Sequence, residues 1–239
     1  MQNSDNKLVV VSGGSKGIGK AILMKFASEG FDVITCSRGL DNLAKLKDDI
    51  LFKYPTVQVH TFQADLGIKE EAFAFVDFVN KLNRPIDVLV NNAGLFLPGT
   101  IHDEREGNLE FLINANLMSA YHLTRGLIGQ MKESKSGHIF FMASTASIMA
   151  YPNGGSYCVS KFAMHGFAKV IREEMKHHGV RVTSVMPGAT FTSSWEGAGM
   201  PEGRFMKSED VADVVFNAYS ISDRAVVEEL IMRPQLGDL

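Results

Sequence analysis

The sequence predicts an α/β protein, a single doubly wound, Rossmann-like domain with a seven-stranded parallel sheet and helices on both faces. Three observations predict it. Short apolar runs rich in β-branched residues alternate with longer helical patterns, the order that βαβ crossovers produce. Runs such as Leu8–Val11 and Asp87–Val90 are nearly continuously apolar, as strands covered on both faces must be. The first run also leads straight into a glycine-rich turn and an amphipathic stretch.

Leu8–Val11 gives the first strand, and Ile18–Ser28 the helix after its turn. Val33–Cys36 is followed by the helical pattern Leu40–Phe52, and Val57–Phe62 by Glu70–Leu82. Ile86–Val90 precedes a long helical region, Glu104–Lys132, and His138–Met142 precedes a second, Gly155–His178. Val180–Met186, the helix Ser208–Ala218 and Val226–Ile231 complete the pattern. No repeat or linker divides the chain, so residues 1–239 are expected to form one domain. Gly188–Lys207, with Gly197, Gly199, Pro201 and Gly203, is read as a substrate flap, since long irregular loops in compact folds usually serve a site.

With 239 residues, 45% hydrophobic and 21% charged, the chain can bury one large core. A formal net charge of −3 offers no electrostatic attraction for nucleic acid or an anionic membrane. No apolar run approaches the roughly 18 residues that span a bilayer. The opening MQNSDNK has neither the basic start nor the apolar stretch of a secretory leader. Cys36 and Cys158 form no CxxC pair, so neither a disulfide framework nor a thiolate metal site is expected, and a cytoplasmic location fits. His177 and His178 precede Gly179 as an ordinary helix end, and no histidine shows ligand spacing, so no metal is expected.

The turn Ser12–Lys20 carries Gly13, Gly17 and Gly19 at a strand-to-helix junction. Glycine lets backbone approach a phosphate, and the helix start offers unpaired N–H groups to the anion. Gly14–Lys20 also fits most of a P-loop, but Ala21 lacks the hydroxyl that holds magnesium, which makes nucleotide hydrolysis the weaker reading. At the end of the second strand, where a dinucleotide's adenosine ribose is met, stand Ser37 and Arg38, with Asp41 further on. A guanidinium there accommodates a 2′-phosphate, and Lys16 can reach it from the glycine turn, so NADP(H) is favoured over NAD(H).

Tyr157 and Lys161 lie four residues apart on one face of a predicted helix. A free phenol titrates near 10, too high for proton transfer at neutral pH. An adjacent ammonium is expected to lower it; a three-unit shift would correspond to roughly 4 kcal/mol. Ser144, at the end of the strand HIFFMAS, is placed to hydrogen-bond a substrate carbonyl.

SGGSKGIG, NNAG at Asn91–Gly94, a serine ahead of YxxxK, and Pro187–Gly188 occur in that order along essentially the whole chain, which in this resembles the short-chain dehydrogenase/reductase family. Ser12 replaces the threonine more usual there. The resemblance implies an NADPH-dependent carbonyl reductase. Tyr157 would be the acid, Lys161 would hold the nicotinamide ribose and tune the phenol, Ser144 would polarise the carbonyl, and Asn116 would position a relay water, with Asn114 close by as the alternative. For the cofactor it implies Ser15 and Ile18 in the glycine turn, Asp65 and Leu66 at the adenine, and Asn91, Ala93 and Gly94 alongside. Thr190 and Thr192 would receive the carboxamide, beyond Pro187 and Gly188. Phe96, Met149, Tyr151 and Trp195 would wall an apolar pocket for a ketone or aldehyde. Packing of the two long helices against a partner would give a homodimer or homotetramer. A non-enzymatic NADP(H)-binding sensor is the rival of a different class, which the complete Ser144, Tyr157, Lys161 set disfavours.

Overall fold

The computed structural model describes residues 6–192, 195 and 199–238. The start of the chain, and Ser193, Ser194 and Glu196–Ala198 of the flap, therefore lie outside the described residues. The strands are β1 (Leu8–Ser12), β2 (Asp32–Ser37), β3 (Val59–Gln63), β4 (Val88–Asn91), β5 (His138–Met142), β6 (Arg181–Pro187) and β7 (Glu229–Met232). The helices are α1 (Gly17–Ser28), α2 (Leu40–Lys53), α3 (Lys69–Lys81), α4 (Asn108–Leu112), α5 (Ser119–Ser134), α6 (Gly155–Met175) and α7 (Ser208–Ser220). All neighbouring strands pair in parallel, in the order β3-β2-β1-β4-β5-β6-β7. This is the predicted seven-stranded Rossmann-like sheet.

Alternation along each strand divides the core. Val9 and Val11 of β1 face α1, α2 and α7, where Phe26, Leu46 and Val215 pack. Leu8 and Val10 face α3, α5 and α6, where Phe75, Leu123 and Met164 pack. Both sides of β1 are therefore dry, which explains its unbroken LVVV. The chain reverses direction across the sheet between β1 and β4. The loops leaving these two strands diverge to opposite faces, and a crevice opens at their carboxyl ends.

One predicted helix is interrupted. The expected Glu104–Lys132 helix starts only at Asn108, after Gly107 in a left-handed conformation (φ 87°). It then widens into a π-helical segment, Ile113–Met118, before continuing as α5 to Ser134. Apolar periodicity reports helix but cannot distinguish 3.6 from wider turns over six residues.

At the amino ends of the strands, the carboxylate of Asp32 is fully buried and meets Arg84 Nη1 at 2.6 Å. It also accepts from the Gln58 amide at 2.7 Å and from Asn6 Nδ2 at 3.0 Å. Removing the guanidinium takes the cationic partner from a buried carboxylate. Arg84→Ala is expected to lower unfolding free energy by about 3 kcal/mol, read as a shift in urea midpoint at unchanged slope. A midpoint within error of the parent would refute the role given to this pair.

Candidate active site

The crevice is a cleft of about 890 Å³ at the carboxyl ends of the strands. Its phosphate end is built by the β1–α1 turn. Lys16 precedes α1 in an extended conformation and provides no side-chain cap, so the first-turn amides of the helix stay free beside the lining residues Gly17, Ile18 and Gly19. Gly13 and Ser15 also line this end. A Cβ on Gly19 would come 2.5 Å from Asn92 Nδ2 and 2.6 Å from the Gly13 carbonyl, so only glycine fits there. The donor set and the cradle suit a dinucleotide's phosphates. Lys20, which a P-loop would aim at phosphate, instead pairs with Asp49 of α2 at 2.6 Å and does not line the cleft.

Ser37 and Arg38 line the adenosine end together with Lys16, Asp65 and Leu66. Arg38 Nη1 lies 3.9 Å from Asp65 Oδ2, and both groups are substantially exposed, so the pair is loose enough for the guanidinium to turn to an anion. Asn42 of α2 borders the same end; its asparagine identity carries no local pattern that sequence reading could have used.

Of the NNAG residues, Ala93 and Gly94 line the cleft but Asn91 does not. Asn91 belongs to β4, is 1% exposed and donates to Thr124 Oγ1 at 2.9 Å. The strand continues one residue further than predicted, and alternation turns that side chain into the interior. Asn92 lines the cleft instead, and its amide donates to the carbonyls of Ser12 at 2.9 Å and Gly13 at 3.0 Å. In return the Ser12 hydroxyl oxygen accepts from the amides of Asn92 and Ala93, each at 2.9 Å.

The far end of the cleft collects three elements. Ser144 ends the β5 segment, Tyr157 and Lys161 lie on α6, and all three line the cleft. Ser144 is fixed by its own turn: its hydroxyl accepts from the Ala146 amide at 3.1 Å, and its amide donates to Ser147 Oγ at 3.2 Å. Lys161 is 6% exposed and donates to the Met142 carbonyl at 2.9 Å. Burial pushes its ammonium down to about 8. Its Nζ is 5.8 Å from the centre of the Tyr157 ring. A Cβ on Gly94 would sit 3.5 Å from this Nζ and 3.0 Å from Asn116 Oδ1, which accounts for glycine at that place.

One expectation at this end needs correction. Burial pushes the Tyr157 phenol upward, while the nearby Ser144 hydroxyl pulls it down; the protein alone leaves it above its ordinary value. Desolvation dominates; the Lys161 ammonium, 5.8 Å from the ring centre, donates its hydrogen bond to the Met142 carbonyl. Asn116 does not line the cleft. It is fully buried in the π-helical segment, accepts from the Leu95 amide at 2.7 Å, and donates to the Leu95 carbonyl at 3.0 Å and Ser160 Oγ at 2.8 Å. Both of its N–H donors are committed, so its side chain holds the loop after β4.

Pro187, Gly188, Thr190 and Thr192 line the opposite wall as β6 enters the flap. The two ends of the flap are pinned together: Phe191 N donates to Met206 O at 2.8 Å and Met206 N to Ala189 O at 3.0 Å. Phe96 meets the Tyr157 ring edge-on at 4.9 Å and stacks with Trp195 at 6.4 Å. Met149 and Tyr151 complete the apolar wall. Asp238, near the carboxyl end of the chain, also borders the cleft, a proximity that only the folded chain reveals. Among the described residues, no cluster of three potential metal-ligating side chains occurs, and no helix is long and apolar enough to cross a membrane.

A strand–glycine turn–helix facing a Ser–Tyr–Lys set defines an oxidoreductase site. The sequence model of the short chain dehydrogenase family matches residues 7–201, and the chain belongs to that family. Among similar proteins, a sepiapterin reductase of Chlorobaculum tepidum is 32% identical over 97% of this chain and 98% of its own. An alcohol dehydrogenase from the archaeon Thermococcus sibiricus, solved with 5-hydroxy-NADP, superposes with a TM-score of 0.88 at 25% identity, covering 97% of each chain. L-Sorbose reductase from Gluconobacter frateurii, solved with NADPH and L-sorbose, gives 0.86 at 27% identity over 96% of this chain and 95% of its own.

The Ser12 hydroxyl is the hinge pin between the glycine turn and β4. Ser12→Ala leaves two amides without their acceptor and is expected to cost about 2 kcal/mol of stability and about tenfold in dinucleotide affinity. Ser12→Thr should keep both. Thermal unfolding and cofactor titration read the two effects, and an alanine variant with parental affinity would refute the assignment.

Proposed function

We propose that this protein is an NADPH-dependent carbonyl reductase acting on a small or medium apolar ketone or aldehyde. The observation that carries the reading is the convergence of Ser144, Tyr157 and Lys161 on one end of a cleft whose other end is a phosphate cradle beside Arg38 and Lys16. The NADP(H) complexes of the similar alcohol dehydrogenase and L-sorbose reductase support the choice of cofactor. When bound, the dinucleotide supplies the hydride. Gly13, Gly17 and the first-turn amides of α1 would hold its pyrophosphate, and Arg38 and Lys16 would meet a 2′-phosphate. Asp65 and Leu66 would lie at the adenine, and Thr190 and Thr192 at the nicotinamide amide.

The chain's own chemistry is proton delivery. Ser144 donates to the carbonyl oxygen and fixes its place. Tyr157, kept protonated by burial, is the residue that would give its proton to that oxygen, the hydride being the cofactor's contribution. Lys161 stabilises the phenolate that remains and orients the ribose. Phe96, Met149, Tyr151 and Trp195 exclude water from the reacting atoms and favour an apolar substituent. Exposed apolar side chains on α6 (Val159, Phe162, Val170) and α4 (Leu109, Phe111) support self-association as a homodimer or homotetramer. Cys36 and Cys158, both buried and unbridged, accord with a cytoplasmic location.

Following NADPH absorbance with a panel of ketones and aldehydes tests the reading directly. Tyr157→Phe should lose at least about a thousandfold in kcat, some 4 kcal/mol of transition-state stabilisation, with NADPH affinity retained; an active phenylalanine variant removes the phenol from its role. Arg38→Asp should reverse the preference toward NADH, and an unchanged ratio would overturn the reading of the β2 end.

The pH dependence follows from Lys161. Its ammonium, titrating at about 8, is present below that pH and lost above it, whereas the raised phenol stays protonated throughout. The reductive rate should therefore fall as pH rises through about 8. A reductive rate that climbs across that range would contradict the assignment.

A further inference from the structure

The helix that carries the proton donor begins without a cap of its own. Residue Gly154 precedes α6 and has no side chain to accept the first-turn amides. The missing acceptor comes from another part of the chain. Glu104, in the loop between β4 and α4, places Oε1 3.3 Å from the Ser156 amide and also accepts from the Ser156 hydroxyl. Ser156 is 2% exposed, so these bonds are shielded from water. A carboxylate at the start of a 21-residue helix also complements the helix dipole.

The backbone around this contact is fitted to it. Gly99 and Gly154 pair as an isolated parallel bridge, and Gly99 N donates to Asn153 O at 2.9 Å. Gly155 has φ 29°, and a Cβ there would meet the Gly99 carbonyl at 2.5 Å and Glu104 Oε2 at 3.2 Å. The Glu104 amide is itself held by the Thr100 carbonyl at 2.9 Å. Two loops are thus clasped. One carries Phe96, whose ring touches Tyr157; the other carries Met149 and Tyr151 and leads into Tyr157 itself.

We propose that Glu104 is a positioning residue for the proton donor: by capping α6 from the loop that bears Phe96, it makes the apolar wall and the Tyr157 phenol one rigid unit. Tyr157 directly follows the clamped Ser156. A displacement of the first turn of α6 moves the phenol away from the substrate oxygen, whereas the phosphate cradle, built on α1, is untouched. The inference rests on the proposed reductase chemistry for its kinetic consequence and on hydrogen bonding alone for its structural one.

The test compares Glu104→Ala, Glu104→Gln and Ser156→Ala with the parent, with kcat expressed per NADPH-binding site so that misfolded protein does not count. Glu104→Ala should lose about 30-fold in kcat, the scale of a sub-ångström to ångström misplacement, with NADPH affinity unchanged. Glu104→Gln keeps an acceptor oxygen and should recover most of the rate; Ser156→Ala, which retains the amide bond, should fall between. Hydrogen exchange at the Ser156 and Tyr157 amides should be at least about tenfold faster in Glu104→Ala and close to parental in Glu104→Gln. A Glu104→Ala variant with parental kcat per site, or one whose loss glutamine does not rescue, overturns the positioning role. Should the parent reduce no carbonyl, the reductase reading fails by itself, and the exchange rates still decide the clasp: parental exchange in Glu104→Ala refutes it.

Discussion

The Ser12 hydroxyl and the Asn92 side chain tie the last residue of β1 to the first residues beyond β4, with four hydrogen bonds of 2.9–3.0 Å between them. These strands are adjacent in the sheet but their helices depart to opposite faces, so the strand order alone does not join their two loops. With that knot in place, the glycine turn lies against Ala93, and Gly94 can approach Lys161 and Asn116. Every other part of the cleft is aligned on this junction. The phosphate end lies on one side of it and the proton-transfer end on the other.

Electrostatics at the proton-transfer end show why position matters as much as residue type. Lys161 is buried with its ammonium held by one carbonyl, which makes its charge easier to lose than that of a surface lysine. The same dryness raises the phenol. A low dielectric thus keeps the acid protonated at rest and magnifies the stabilisation that any approaching positive charge gives its conjugate base.

Much of this was legible from residue patterns. Continuous apolar strands such as Leu8–Val11 fixed the parallel sheet, and the four ordered motifs pointed to the cleft, because both depend on local spacing. The failures have physical reasons. Asn91 and Asn92 are neighbours of the same type, and only the last residue of β4 decides which one faces the cleft. The helix through Asn116 widens to a π-helical segment, which apolar periodicity does not report. The phenol's upward shift depends on desolvation, a three-dimensional quantity with no sequence spacing. Glu104 capping a helix about fifty residues away, at |i−j| = 52, is equally invisible to local reading.

The widened turn at Ile113–Met118 carries a consequence for how this chain can change. Such a segment accommodates one residue more than the α-helix on either side needs. Deleting a single residue within it would let α4 and α5 fuse into one regular helix, at little cost to the helix itself. Every side chain upstream would then rotate by about 100° relative to those downstream. The helix would survive while its grip on Leu95 vanished. Length variation is therefore tolerated poorly at this one point, although a longer, straighter helix would be the simpler object to build.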